Sequence, residues 1–327
     1  MHTRQTERRR FRLKRLAMII ILVIALMFLA LYIAGEVYRR TDYRERFKRM
    51  HGTLADVEES FVESAEGHDL YSVRLQGDTG IQVTGFMKLP SDSSGPFPSL
   101  LILGGLRTGR RTLDYIHNTR GLILLALDYP YEGKRTQMNA GEFISSIPLI
   151  RRAVIQTVPG AMLAADYLLA RDDVDPDRIV AVGGSLGAFF IPAMMAVDER
   201  PAAAVMLFGA GDIQSILRAS LDLPGIIAAP AGWLGAVLVS PVEPLKYVAD
   251  ISPRPLFMLN GTGDPRMPER CSRLLYDAAM EPKTIRWIDA GHVTIRDKEF
   301  HKMVSDELVT WLVDQDLVPP GSYIEAE

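Results

Sequence analysis

The hydrophobic pattern begins with an unbroken run. Leu16 to Ala34 reads LAMIIILVIALMFLALYIA, without a charge or a proline. At 1.5 Å per residue, a helix of this length spans about 30 Å of hydrocarbon. The run is apolar all round, which argues against a helix that buries one stripe on a soluble core. RRRFRLKR precedes it and EVYRRTDYRERFKR follows, with Tyr32 and Tyr38 where interfacial aromatics sit. A cleaved leader has a shorter apolar stretch and small residues around the cut, whereas Tyr32 stands two positions before Ala34. The pattern predicts a basic tail (1–15) and a single-pass membrane anchor in contact with lipid (16–35). Seven basic residues precede the run and six follow closely, too even a split to orient it. A short basic tail most simply stays in the cytoplasm, which would place the remaining chain outside.

Residues 36–67 are charged, carry few strand signals, and read as a juxtamembrane helix and linker. From there the pattern alternates. YSVRLQ (71–76) and IQVTGFMKL (81–89) predict two antiparallel strands around Gly77-Asp78-Thr79-Gly80, and SSGPFP (93–98) predicts a loop. SLLIL (99–103), GLILLALD (121–128), RIVAVG (178–183), AAAVMLF (202–208), PLFMLN (255–260) and KTIRWID (283–289) are apolar runs of buried-strand length. Between them, PGAMLAADYLLARDD (159–173) predicts an amphipathic helix with proline at its start, SLGAFFIPAMMAV a second helix, and EFHKMVSDELVTWLVDQ (299–315) a closing one. Strands alternating with helices give an α/β fold: a mostly parallel central sheet with helices on both faces. The alternation breaks between Gly211 and Ile251, where four prolines surround GWLGAVLV, and this predicts a small cap insertion at about 212–250. The expected main domain is 68–316, followed by a C-terminal tail (317–327).

Composition narrows the function. Of 327 residues, 48% are hydrophobic and 24% charged, enough apolar surface for a large core and too much for a disordered chain. Cys271 is the single cysteine, so no disulfide framework holds the fold. Residues 1–50 carry 13 Lys+Arg against 4 Asp+Glu, and the rest carry 24 against 36. An acidic main body argues against nucleic acid as its partner. No H-E-x-x-H, cysteine cluster or His-rich tract points to a metal, and no cofactor is expected.

The sharpest chemical signal is VAVGGSLGAFF. Gly183-Gly184-Ser185-Leu186-Gly187 fits G-x-S-x-G between a predicted strand and a predicted helix. A tight turn there lifts the serine hydroxyl above the sheet edge, glycines on either side remove colliding side chains, and the helix start aims N–H groups at developing negative charge. A serine hydroxyl needs a base. His2 and His51 lie in the tail and linker, and His301 lies inside the last helix. His292, in DAGHVTI just after the final strand, is the preferred base. The base in turn needs a carboxylate. Asp264, in NGTGDPRMP after the preceding strand, is the preferred acid, although Gly-Asp-Pro favours a turn in any case. Asp212 is the runner-up, and Asp289 is too close in sequence to His292.

With the order Ser185, Asp264, His292, each after a suitable strand, the chain resembles the α/β-hydrolase superfamily from about residue 68 to 316. It looks most like the esterase, dienelactone-hydrolase and prolyl-oligopeptidase-like branches, or the related thioesterases. The resemblance implies a serine hydrolase acting on a small-molecule ester or thioester. It implies oxyanion donors at the backbone N–H of Leu186 and in the loop LGGLRTG, at Gly105 or Leu106. This chain has Leu103-Gly104-Gly105-Leu106 where many relatives carry His-Gly. Peptide cleavage, acyl transfer and a non-catalytic binding role on the same fold are the rival readings. The loop also approaches a phosphate cradle, but Arg110 and Arg111 replace the required Lys and Ser/Thr. Arg107, Arg110 and Arg111 read more simply as a solvated basic loop than as an anion site, and 226–239 as a packed cap or a lid over an acyl chain.

Overall fold

The computed structural model describes residues 2–65, 67–91, 94–106, 108–133, 140–221, 224–292 and 297–326. It divides into two units, residues 1–41 and 42–327. The first is one long helix, α1 (His2–Arg40). Its stretch Phe11–Arg40 is apolar and long enough to cross a membrane, and no part of its most apolar window is buried. That exposure separates it from a soluble core helix of similar composition.

The second unit is built on a nine-stranded sheet. Its strands are β1 (Leu54–Ala65), β2 (His68–Gly77), β3 (Gln82–Pro90), β4 (Phe97–Leu103), β6 (Ile123–Leu127), β7 (Val174–Gly184), β8 (Ala203–Leu207), β9 (Leu256–Gly261) and β10 (Lys283–Ile288). They lie in the order β1-β2-β3-β6-β4-β7-β8-β9-β10. The β1, β2, β3 and β6 neighbours pair antiparallel, and every pair from β6 through β4 to β10 is parallel. The predicted runs 99–103, 178–183, 202–208, 255–260 and 283–289 all become parallel strands; the first four are buried almost throughout and paired on both edges, whereas β10, at the sheet edge, is half-buried. The turn Gly77–Gly80 joins β2 to β3 as expected, with the Gly80 N–H donating to the Gly77 carbonyl at 3.1 Å.

Alternation sorts the strand residues between two faces. Leu100, Ile102, Val180, Val182, Val205 and Phe257 face one side and pack with α8 (Lys298–Asp314), where Trp311 stacks on Phe257 at 5.0 Å. The other side, with Leu101 and Leu103, takes α3 (Ala140–Leu169) and the short α4 (Ile191–Met195). Helices therefore cover both faces. The insertion at 212–250 is helical: α5 (Ile213–Ser220) and α6 (Gly225–Val239) pack together, and three short 3-10 turns return the chain to β9. Beyond it, α7 (Glu269–Ala278) joins β9 to β10.

Four expectations need correction. Residues 36–67 hold a helix as expected, α2 (Arg44–His51), but not a linker: α2 and β1 belong to the second unit, and Phe47 is fully buried there. The helix predicted from Pro159 begins at Ala140, with Pro148 and Pro159 inside it. Burial of Val154, Ile155, Val158, Ala161 and Met162 outweighs the lost hydrogen bonds. The helix after Ser185 is a 3-10 turn (Ser185–Phe189) followed by α4, which carries Pro192 in its first turn. The tail 317–327 contains β11 (Tyr323–Ala326), which pairs antiparallel with β5 (Ile116–Arg120) in a second, two-stranded sheet. Leu317, Val318 and Ile324 are buried, so this segment is part of the core.

Candidate active site

The parallel strands deliver three loops to their shared C-terminal edge. β7 ends at Gly184, and Ser185 follows with φ +51°, the left-handed region that a residue with a Cβ rarely adopts. The turn is tight because it presses on its neighbours. A Cβ on Gly187 would stand 1.8 Å from the Leu103 carbonyl oxygen, and one on Gly183 would stand 2.7 Å from the Ala188 backbone. Only glycine fits at either place, which is the physical content of the motif around Ser185.

The loop after β9 holds Asp264. Its Oδ1 accepts from the N–H groups of Arg266 (2.8 Å) and Met267 (3.1 Å), so the aspartate does build a turn. That bonding orients the other oxygen. Oδ2 lies 2.7 Å from Nδ1 of His292, which follows β10, and the Asp264 side chain is 1% exposed. Nε2 of His292 lies 2.8 Å from the Ser185 hydroxyl. With Nδ1–H donating to the carboxylate, Nε2 is left to accept from the serine. The structure thus brings Ser185, His292 and Asp264 into one hydrogen-bonded row. The edge of the Phe208 ring packs on His292, centroids 5.9 Å apart. Phe208 sits at φ +55° just past β8, and nothing in the sequence around it signalled this contact.

The remaining candidates fall elsewhere. Asp212 begins α5 and accepts from the Ser215 N–H at 3.2 Å. Its own N–H and that of Ile213 donate to Glu243, whose carboxyl burial pushes above its ordinary range. Asp289 is exposed and accepts from the Thr262 hydroxyl at 3.5 Å. His301 stacks on Tyr115, ring planes 2° apart. Arg110 pairs with Asp128 at 3.2 Å and lies over the Phe86 ring, and Arg111 pairs with Asp114 at 2.8 Å; Arg107 lies outside the described residues. Arg111 is engaged within its own 3-10 turn, and Arg110 with Asp128 after β6 and Phe86 of β3.

Gly105 and Leu106 line a cavity of about 910 Å³ together with Ser185 and His292. The Gly105 carbonyl turns into its own loop, accepting from the N–H groups of Thr108 and Gly109 at 3.2 Å each. A Cβ on Gly105 would meet only Thr108 Oγ1, at 3.6 Å, so little crowds this backbone. Leu186 is the second residue of the 3-10 turn, in the first turn, where N–H groups have no partner within the helix.

Comparisons with known proteins agree with this fold. The sequence profile of the prolyl oligopeptidase family matches residues 153–315. The chain is similar to YfhR of Salmonella typhimurium, 29% identical over 153 residues that make up 46% of this chain and 52% of YfhR. It is also similar to YtaP of Bacillus subtilis, 24% identical over 248 residues, 69% of this chain and 81% of YtaP. The chain spans about half the length of the YfhR relatives it matches. Among solved structures, an acetyl xylan esterase from Paenibacillus sp. R4 superimposes with a TM-score of 0.65 at 19% identity, covering 84% of this chain and 93% of that one. With its strand order, its left-handed serine after β7 and loops after β9 and β10 that meet at that serine, the chain belongs to the α/β-hydrolase superfamily.

Proposed function

We propose that the chain is a membrane-anchored serine hydrolase that cleaves carboxylic esters or thioesters through an acyl-enzyme on Ser185. The observation that carries this reading is the hydrogen-bonded row Ser185–His292–Asp264, with spacings of 2.8 and 2.7 Å, at the edge of a cavity large enough for a substrate. His292 removes the hydroxyl proton as Ser185 attacks the carbonyl, then returns it to the leaving group. Asp264 fixes the tautomer and stabilises the imidazolium. The N–H groups of Leu186 and Gly105 receive the oxyanion, and water resolves the acyl-enzyme through the same base. No step needs a metal or cofactor.

The helix 11–40 supports anchoring: its apolar side chains are exposed along its length, and basic residues flank it at both ends. With the short basic tail in the cytoplasm, the catalytic unit lies outside. The prolyl oligopeptidase profile favours a second reading, attack of the same serine on a peptide bond. Peptide p-nitroanilides beside p-nitrophenyl esters and acyl-CoA thioesters separate the two by turnover.

The central test is labelling of the full chain by a fluorophosphonate. Ser185→Ala abolishes the label, Asp264→Asn and His292→Ala reduce it severely, and Asp212→Asn leaves it intact. Removing a base or nucleophile in such a system costs on the order of 10⁴-fold or more in rate. Continued labelling of Ser185→Ala would defeat the assignment.

A further inference from the structure

The cavity at Ser185 does not end at the reacting atoms. It continues between the inner face of α8 and the sheet, and reaches Leu100, Leu308 and Ile324, all buried in the core. From this we propose that it is an acyl-chain slot, which makes the chain select esters of medium-length unbranched acyl groups over acetyl esters. This rests on the hydrolase reading above and specifies its substrate.

The floor is the sheet. Leu100 and Ile102 on β4 and Val182 on β7 lie on the same face, since Leu100 pairs with Val180 and Ile102 with Val182 in register. Leu100 is thus level with a residue five positions before Ser185 on the neighbouring strand. At about 3.3 Å per residue, the floor extends roughly 16 Å from the nucleophile. The roof is Phe300, Val304 and Leu308, spaced four residues apart on one stripe of α8. Phe300 packs on Phe208, which itself packs on His292, so this end of the roof adjoins the reacting atoms. Leu308 lies about 12 Å further along the helix.

The lining sorts by chemistry. Ser185, His292, Thr108 beside Gly105 and Arg266 beside Asp264 form its polar end; the floor is aliphatic and the roof stripe Phe300, Val304 and Leu308 is apolar, with His301 and Ser305 of α8 and Thr112 and Tyr115 also lining the cavity. An acetyl group reaches only the first part of this space, and an extended octanoyl chain lies along it. The volume of about 910 Å³ is near the upper end for a small-molecule site. Each methylene drawn from water onto these side chains contributes ~0.8 kcal/mol, about fourfold in kcat/KM.

The test uses the full chain in non-ionic detergent with p-nitrophenyl acetate, butyrate, hexanoate and octanoate. The expected result is kcat/KM rising about fourfold per methylene to hexanoate or beyond. Val304→Trp, which fills the slot midway, lowers the octanoate-to-acetate ratio by tenfold or more. Leu308→Trp, one turn deeper, lowers that ratio less and spares the hexanoate preference. Thermal unfolding of each variant checks that it folds, and either variant alone tests the position dependence against wild type. A wild-type profile that is flat or falls from acetate to octanoate overturns the slot while leaving the hydrolase reading standing. Failure to cleave any of these esters, with Ser185 unlabelled by fluorophosphonate, overturns the hydrolase reading itself.

Discussion

Ser185 carries its cost in the backbone. A left-handed conformation at a residue with a Cβ costs roughly 1–2 kcal/mol, and Ser185 holds φ +51° because Gly183 and Gly187 let β7 and β4 close tightly around it. Two substitutions separate this strain from the chemistry. Ser185→Ala removes the hydroxyl and keeps the Cβ, whereas Ser185→Gly removes both. Both variants are expected to be inactive, but Ser185→Gly unfolds at a temperature higher than Ser185→Ala by about 2 °C or more. Differential scanning calorimetry decides it, and equal midpoints would mean that the surrounding turn has relaxed the strain. The same scale shows what a sequence makes legible. Ser185, Asp264 and His292 each sit in a short motif beside a strand end, so residue type and spacing mark them as candidates. Asp264 reads as turn-former or acid, and its geometry is compatible with both, one oxygen building the turn and the other facing His292. Phe208 was silent, because its contact with His292 arises from the crossing of β8 and the loop after β10, which no local pattern records.

At the scale of elements, the buried strands were readable and the peripheral ones were not, for one physical reason. Strands β4, β8 and β9 and the 179–183 part of β7 bury nearly every side chain and appear as apolar runs. β1 is exposed along almost its whole length, so neither alternation nor an apolar run marks it. It forms through backbone pairing with β2, from Leu54 opposite Gly77 to Ala65 opposite His68. β11 is four residues long and contributes one buried side chain, Ile324. The first half of α3 leaves Phe143, Ile144 and Ile147 exposed, so its polar and apolar positions do not divide by face. These silent elements still bear on stability. α2 inserts Phe47, fully buried, and Arg44 pairs with Asp250 and donates to the Lys246 carbonyl at 3.1 Å. His51 reaches Asp166 of α3 at 2.7 Å. A chain that begins at residue 68, where the alternating pattern starts, loses all three contacts and uncovers the edge of β2. Losing a buried Phe alone costs about 3–5 kcal/mol. Such a chain is expected to aggregate on expression, while one beginning at Asp42 folds cooperatively. Equal yield and equal melting of the two would remove the structural role assigned to α2 and β1.

At the scale of the whole molecule, the boundary at residues 41 and 42 separates two kinds of solvent exposure. Before it, side chains such as Ile21, Met27 and Phe28 are more than half exposed, a condition that water penalises and hydrocarbon does not. After it, the apolar side chains of the strands are buried in a core that includes the walls of the proposed slot. The cap helix α6 stands between these cases. It is apolar enough to resemble a membrane span, yet Ala228, Gly232 and Ala236 are buried and Ile226 and Leu234 are exposed. Length and hydropathy alone do not distinguish it from α1; burial does, because a helix that buries three small residues, with Gly232 against Gln214 and Arg218 of α5, belongs to the folded unit. On the proposed anchoring, α1 and not α6 holds the chain at the membrane, and the two are separable. The full chain is expected to stay with membranes through alkaline carbonate extraction and to leave them only in detergent. Residues 42–327 alone should appear in the soluble fraction and still take a fluorophosphonate at Ser185. If the shortened chain resisted carbonate as the full chain does, α6 or another surface of the second unit would be the anchor, and the case for α1 would fall. If the shortened chain were soluble but unlabelled, the site would depend on residues before Asp42, although no side chain in the row Ser185–His292–Asp264 comes from that region.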